Sequence, residues 1–165
     1  MTTRAREVLV DCEHALTDYE ASANTPFQRP RWVAVMTLLR TVGLVLKDVD
    51  RPVADVATQR RMDAAWDGLK ALKATKTEPH IFHDFIDDER NNVVHLYDPS
   101  ARVDVTIRLG GVSTGGGSDP AGPPMYGFVM KKGPFKGRDP RDLCREAIAF
   151  WRTYLDAIDD PRTEG

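Results

Sequence analysis

The sequence contains only two cysteines in 165 residues, Cys12 and Cys144, and neither belongs to a CxxC pair. Structural zinc sites and disulfide-stabilised folds need cysteines or histidines at short, regular spacings. Free thiols in a reducing compartment are therefore the simplest interpretation. We expect a cytoplasmic protein that uses neither a metal nor an organic cofactor.

Long apolar runs and a strong net charge are also missing. The longest apolar stretch, around residues 32–39, is far shorter than the roughly 20 residues of a membrane-spanning helix. No apolar signal core follows the N-terminus, so we expect no membrane association. The 25 acidic and 23 basic side chains give a net charge of -2. A phosphate-bearing partner would therefore have to meet a local basic patch.

Two families of catalytic motif are absent as well. The sequence shows no Ser-His-Asp pattern of a serine hydrolase. Its glycine-rich segment, residues 110–124, lacks the Lys-Ser/Thr ending of a phosphate-binding loop and does not lead into a helix. We interpret that segment as a flexible surface loop.

Helical periodicity dominates what is present. The 165 residues suit a single domain, 1–165, with 41% apolar residues available for its core. Apolar positions recur at helical spacing in five segments. We predict helices over residues 4–22, 31–48, about 52–73, 77–97 and from 140 onward. Thr77 is the expected cap of the fourth helix, and Asp139 with Pro140 begins the last.

The spacing of apolar residues changes from the helical repeat to alternation in one region, which predicts a β-hairpin there. Val103, Val105 and Ile107 alternate with polar residues, as in a half-buried strand, and residues 126–130 form a second short apolar run. We predict that the two runs pair as an insertion over about 102–132. The expected fold is mainly α: an up-and-down bundle of about five helices with one inserted β-hairpin.

The candidate site lies in the fourth predicted helix, which carries Arg90, Asn91 and His95. At about 100° per residue, Asn91 and His95 point away from the apolar face. The imidazole is therefore displayed to solvent or to a partner. That apolar face is formed by Phe82, Phe85, Ile86, Val93, Leu96 and Tyr97.

A cation and an imidazole are the minimum set for cleaving RNA without a metal. The imidazole moves protons near neutral pH, and a guanidinium stabilises charge that develops on a phosphate. Arg90 and His95 are five residues apart, so on a regular helix they project about 140° apart. Because one helix cannot easily aim both at one phosphate, we expect a composite site shared between two copies in a homodimer.

The segment from Arg90 to His95 resembles the active-site motif of HEPN ribonucleases, which is Arg-x4-His with a polar residue, here Asn91, directly after the arginine. Tyr97 extends the match to the Arg-x4-His-x-Tyr form of HEPN toxins that are paired with minimal nucleotidyltransferase antitoxins. The resemblance implies a HEPN-like bundle and a metal-independent endoribonuclease, acting as a toxin or a defence component. His95 would be the acid or base, and Arg90 would stabilise the phosphorane. Tyr97 would be the residue to which the antitoxin attaches nucleotides.

Two neighbours have expected supporting roles. Asn91 shares a face with His95 at i, i+4 spacing and can orient the ring or hold a phosphate oxygen. Glu89 falls inside the apolar stripe, where a carboxylate needs a partner. Arg90 or another buried donor is the expected partner of Glu89.

Basic residues cluster where the predicted hairpin ends, with Phe135 among them. Cations beside an aromatic ring can hold single-stranded RNA, although a lysine-decorated exposed turn explains them equally well. The expected substrate-binding residues are Lys131, Lys132, Lys136 and Arg138.

Three other interpretations stay open at this point. His80, His83 and Asp87 share one helical face near Asp84, which is the pattern of a divalent metal site. A HEPN-like module without catalysis could instead bind a nucleotide or a protein partner. A purely structural scaffold would do neither.

Overall fold

Helices and one β-hairpin form the part of the chain that the computed structural model describes, residues 1–22, 25, 27–106 and 125–160. The mainly α fold with a single hairpin confirms the predicted fold class. Two π-helical turns interrupt the regular helices, at Leu46–Asp50 and Ile81–Asp87. The helices are α1 (Thr3–Glu20), α2 (Gln28–Val45), the single turn α3 (Arg51–Val53), α4 (Val56–Thr75), α5 (Asp88–His95) and α6 (Pro140–Asp159).

The hairpin joins α5 to α6. Strand β1 (Ala101–Thr106) pairs antiparallel with β2 (Met125–Met130), and Ala101 lies opposite Met130. The turn after β2 is held by the backbone, since the N–H of Lys131 donates to the carbonyl of Ser100 at 2.8 Å. The loop predicted over residues 110–124 lies outside the described residues.

The core lies between α1, α2 and α6. Trp32, Trp151 and Tyr19 are among the largest fully buried side chains. The indole N–H of Trp151 donates to the carbonyl of Leu39 at 2.8 Å, which fixes α6 against α2. Among the helices of the described residues, none combines the length and the apolar character that crossing a bilayer would require.

The last helix begins where the sequence predicts. Asp139 is its N-cap, and its carboxylate accepts the N–H of Arg141 at 2.8 Å. Pro140 follows at the first helical position, where its missing N–H costs nothing. The buried face of α6 then continues to Ile158, as the apolar spacing predicts.

Apolar spacing predicts a core face of α4 formed by Val56, Met62, Ala65, Trp66, Leu69 and Leu72, and this prediction is only partly right. Met62 and Leu69 are buried, but Val56 is 64% and Leu72 44% exposed. α4 contacts α6, but its apolar spacing continues to residues that no neighbouring element buries. Apolar periodicity shows which face of a helix can be buried. The packing of neighbouring elements determines how much of that face is buried.

The start predicted for the motif-bearing helix is wrong. Its cap is His80, not Thr77: the Nδ1 atom of His80 accepts the N–H of Phe82 at 3.2 Å. The next seven residues are π-helical, and the buried His83 among them has its Nε2 atom 2.8 Å from the carbonyl oxygen of Leu69. A π-helical turn holds more residues than an α-turn, so it shifts the helical phase before α5 begins.

Candidate functional site

Arg90 and His95 meet within one chain. The Nη1 atom of Arg90 lies 3.0 Å from Nε2 of His95 and donates to Oδ1 of Asn91 at 3.1 Å. A guanidinium can only donate, so Nε2 of His95 is the acceptor. For this contact to be a hydrogen bond, the imidazole must be neutral, with its proton on Nδ1.

The expectation that one helix cannot bring these two groups together is wrong. The angular argument treats both side chains as radial, but arginine is long and can lie along the helix axis. His95 is the last residue of α5, so the chain beyond it does not continue the helix and does not block the approach. One protomer thus forms the complete cation–imidazole pair.

The pair is open to solvent, as predicted. His95 and Asn91 are exposed, and Arg90 is half-buried. A phosphate can therefore reach both side chains of the pair without displacing core residues. The Arg90 contact also orients the His95 ring before any substrate arrives.

Glu89 is the buried anchor of this site. Its side chain is 3% exposed and accepts three hydrogen bonds, from the indole Nε1 of Trp32 at 3.0 Å, the backbone N of Ser100 at 2.6 Å and Nδ2 of Asn92 at 3.3 Å. Of the two expected kinds of partner, the structure has another buried donor, the Trp32 indole, and not Arg90. The guanidinium is thereby left for His95 and Asn91.

Sequence reasoning missed Trp32, Asn92 and Ser100 as supports of the site. The only signal for them is the acidic residue within an apolar stripe, which shows that buried donors must exist and does not show which they are. Trp32 lies in α2, and Ser100 comes directly before β1. Glu89 therefore ties α5 to both of these elements.

The end of α5 places apolar side chains outside the core. Leu96 is 69% and Tyr97 59% exposed, so both were wrongly assigned to the buried face. The helix ends at His95, and Tyr97 adopts a φ of 51°, in the left-handed region that side chains other than glycine rarely enter. With the exposed Val94, these two residues form an apolar patch beside His95, here called the Leu96 patch.

The N-terminal end of α2 lies next to the Leu96 patch. The guanidinium carbon of Arg29 is 5.5 Å from the centre of the Tyr97 ring. Phe27 is also exposed, with Arg31 at 5.9 Å from its ring. The surface around His95 thus combines aromatic rings with cations.

A cleft of about 210 Å³ lies beside the site and is lined in part by Asn91, the residue that follows Arg90. Its walls include Asp88, Asn91, Ser100, Lys132 and Pro134. Burial raises the pKa of the Asp88 carboxyl, and the neighbouring carboxylates of Asp84 and Asp87 add to that rise. Asn91 both lines this cleft and accepts a hydrogen bond from Arg90, so the cleft adjoins the Arg90–His95 pair.

The predicted RNA-holding surface is partly neutralised. Lys132 pairs with Asp98, and this hydrogen bond holds the Asp98 pKa below its ordinary value. Arg138 pairs with Glu146. Phe135 is buried, so it cannot stack on a base as expected, because its ring packs against Phe85 in the core. The backbone places the other two predicted residues, Lys131 and Lys136, on the exposed turn after β2.

The metal interpretation is wrong. His83 is buried against the carbonyl of Leu69, and Asp87 accepts from Nε of Arg40 at 3.0 Å. Over the ranges the structure describes, no three His, Cys, Asp or Glu side chains are placed to hold a metal ion. The side chains that the sequence predicts on one helical face contact different groups, His83 the carbonyl of Leu69 and Asp87 the guanidinium of Arg40.

Both cysteines are buried free thiols. Burial, together with the neighbouring carboxylates of Asp11 and Glu13, raises the pKa of Cys12 to about 12. Burial likewise raises the pKa of Cys144 well above its ordinary value. A thiol held protonated in this way is a poor nucleophile.

Comparison of this chain with models of protein families, with curated proteins and with solved structures finds no match.

Proposed function

We propose that this protein is a metal-independent endoribonuclease of the HEPN type that acts in the cytoplasm. The observation that carries the proposal is the 3.0 Å contact between Arg90 Nη1 and His95 Nε2 on an exposed helix end. A neutral imidazole next to a fixed cation supplies both the proton acceptor and the charge stabilisation that RNA cleavage needs. Support from the sequence is the Arg-x4-His-x-Tyr spacing.

The reaction follows from what each group can do. A bound phosphate accepts the hydrogen bond that Arg90 otherwise donates to His95. The lone pair on His95 Nε2 is then free. That nitrogen accepts the proton of the ribose 2′-hydroxyl, whose oxygen attacks the adjacent phosphorus. The P–O5′ bond breaks, and the leaving oxygen takes a proton from an acid. The products are a 2′,3′-cyclic phosphate and a 5′-hydroxyl end, and DNA is spared because it has no 2′-hydroxyl.

A homodimer supplies the second proton-transfer group in this proposal. One His95 acts as base, and the partner's copy, in its protonated form, acts as acid. The Leu96 patch supports a contact at this position, since three exposed apolar side chains beside the site would be covered by a second copy. The exposed Tyr97 ring supports its role as the target of a nucleotidyltransferase-type antitoxin.

The test is cleavage of single-stranded RNA in EDTA by the purified chain. We expect cyclic-phosphate ends, no cleavage of the matching DNA, and loss of activity in His95→Ala and Arg90→Ala. His14→Ala is the matched control, because His14 is exposed on α1 and away from the pair. A wild-type protein that leaves RNA intact, or a His95→Ala variant as active as the wild type, would contradict the proposal.

A second candidate is a HEPN-like module that binds a nucleotide or a protein partner without catalysis. The cleft of about 210 Å³ beside Asn91 favours it, because a bound nucleotide there would engage Arg90 without being cleaved. The two candidates separate in one experiment. Nucleotide binding without RNA cleavage in EDTA supports the module, and cleavage supports the enzyme.

A further inference from the structure

Unpaired positive charge lies beside the Arg90–His95 site. Most arginines in the described part of the chain contact a carboxylate. The Arg90 guanidinium instead contacts Asn91 and His95. The guanidinium of Arg29, which is exposed at the start of α2, forms no ion pair and no hydrogen bond with the described residues. In a protein with a net charge of -2, these two cations offer an anionic ligand uncompensated charge.

The Tyr97 ring holds Arg29 next to this site. The guanidinium carbon of Arg29 lies 5.5 Å from the ring centre, within the range of a cation–π contact. Tyr97 follows His95 by two residues, so their Cα atoms are at most about 7.6 Å apart. A guanidinium that lies over an aromatic face keeps its N–H donors at its edge, where they remain free to bind. The ring therefore positions a long side chain that would otherwise move freely in solvent.

The backbone at Tyr97 is strained. Its φ of 51° lies in the left-handed region, which helices usually enter with a glycine where they end. A tyrosine in this conformation costs energy, and its exposed ring recovers little of that energy by burial. Glycine would end the helix without strain but could not hold Arg29. Residues in strained conformations cluster at functional sites, and the contact with Arg29 gives this one a reason.

The acids of this region do not neutralise Arg29. Asp98, the acid nearest in sequence to the strained residue, pairs with Lys132 and Arg102. Glu89 is buried, and its carboxylate is occupied by donors of the core. Arg29 thus keeps its charge and its donors available for a phosphate.

We propose that Arg29 binds a second phosphate of a single strand whose first phosphate lies at the Arg90–His95 pair. A single strand carries one phosphate per nucleotide, so a strand that continues past Tyr97 brings a neighbouring phosphate to Arg29. A guanidinium binds phosphate through two parallel N–H groups, and the Tyr97 ring is the positioning group for it. That the strand is RNA rests on the proposed ribonuclease function. Arg29 covers one face of the ring, which leaves the other face for the second copy of the chain.

The test measures binding of a strand that cannot be cleaved. A fluorescein-labelled 2′-O-methyl RNA of about eight nucleotides has no free 2′-hydroxyl to attack phosphorus, and it suits the usual length of a single-strand site. Fluorescence anisotropy with the full chain gives its dissociation constant at several salt concentrations. Loss of one phosphate contact in Arg29→Gln should lower the slope of log affinity against log salt by about 0.7. Affinity should fall by about fivefold at about 0.1 M salt, with little difference left at about 1 M.

Matched variants separate this contact from a general effect of charge. Arg60→Gln removes another exposed arginine, on α4, that forms no ion pair with the described residues, and it should keep the wild-type slope. Tyr97→Leu removes the ring and should weaken binding by about twofold to fivefold, the contribution of an exposed cation–π contact. Tyr97→Phe keeps the ring and should restore the wild-type affinity.

Binding and cleavage give separate answers. An unchanged slope in Arg29→Gln, or an equal loss in Arg60→Gln, overturns the inference even if the wild type cleaves RNA in EDTA. Failure of the strand to bind the wild type overturns it as well. A reduced slope in Arg29→Gln without RNA cleavage by the wild type supports the phosphate contact and contradicts the ribonuclease proposal.

Discussion

The indole N–H of Trp32 donates to Glu89 at 3.0 Å, and this buried bond connects α2 to the residue directly before Arg90. The same carboxylate accepts the backbone N–H of Ser100 at 2.6 Å. The buried acid directly before Arg90 therefore holds this part of α5 against α2 and against the residue before β1. Glu89 acts as a positioning residue for the Arg90–His95 pair.

Removing this acid should destabilise the protein. Glu89→Ala leaves the Trp32 indole and the Ser100 amide buried without an acceptor, which should cost about 3 kcal/mol of unfolding free energy. Glu89→Gln keeps an acceptor oxygen and should cost about 1 kcal/mol. Urea unfolding monitored by tryptophan fluorescence measures both. Equal stability of Glu89→Ala and the wild type would show that the three hydrogen bonds contribute nothing.

Substitution of Arg90 or His95 should lower RNA cleavage and leave the stability of the fold almost unchanged. Neither side chain fills the core, so His95→Ala and Arg90→Ala should change the unfolding free energy by about 0.5 kcal/mol or less. Loss of an acid–base group should lower RNA cleavage by about 10²–10⁴-fold. Paired measurement of melting temperature and cleavage rate tests this separation. A large drop in melting temperature would assign these residues to structure.

The Leu96 patch can be tested as a dimer contact by placing a charge in it. Leu96→Glu should convert the dimer into monomer and reduce cleavage, with little change in monomer stability because the side chain is exposed. Val53→Glu is the matched control, since Val53 is still more exposed and lies in α3. Sedimentation at several concentrations gives the mass. A monomeric wild type would exclude the dimer.

Mixing two inactive variants tests whether the site is shared. Because Arg90 contacts His95 within one chain, mixed Arg90→Ala and His95→Ala proteins should regain no activity when they exchange subunits. The RNA cleavage rate at a 1:1 ratio measures this. Recovery would show instead that Arg90 of one chain serves His95 of the other.

The N-cap of α4 should make stability depend on acid pH. The Asp55 carboxylate accepts the backbone N–H of Thr58 at 2.9 Å and its hydroxyl at 2.7 Å, and these bonds hold the Asp55 pKa below the ordinary 3.8. Because the folded-state pKa is lowered, the stabilisation is complete above the ordinary value and is lost as pH falls through the folded-state pKa. Asp55→Asn cannot titrate, so its melting temperature should fall less steeply below about pH 4.

Asp11→Asn, at an exposed position on α1, is the control for that comparison. The measurement is the melting temperature from pH 6 down to the lowest pH at which the wild type still folds. Identical slopes for Asp55→Asn and the wild type would show that the capping carboxylate has the same pKa in the folded and unfolded states.

Much of the fold was predictable because its signals are local. The buried face of α6 and its Asp139 cap follow from spacing and from one capping residue, and the β-hairpin follows from a change of period. The prediction was wrong where periodicity continued without a neighbour, as at Val56 and Leu72, and where a π-helical turn moved the start of the next helix.

For the site, the amino-acid sequence alone determined that His95 would face outward and that Glu89 would need a buried partner. Only the tertiary structure decided that Arg90 reaches His95 within one chain and that Trp32, 57 residues away, holds the acid. Spacing along a helix fixes the direction of each Cα–Cβ bond. It does not determine where a long side chain ends, or which distant donor the folded chain brings to a carboxylate.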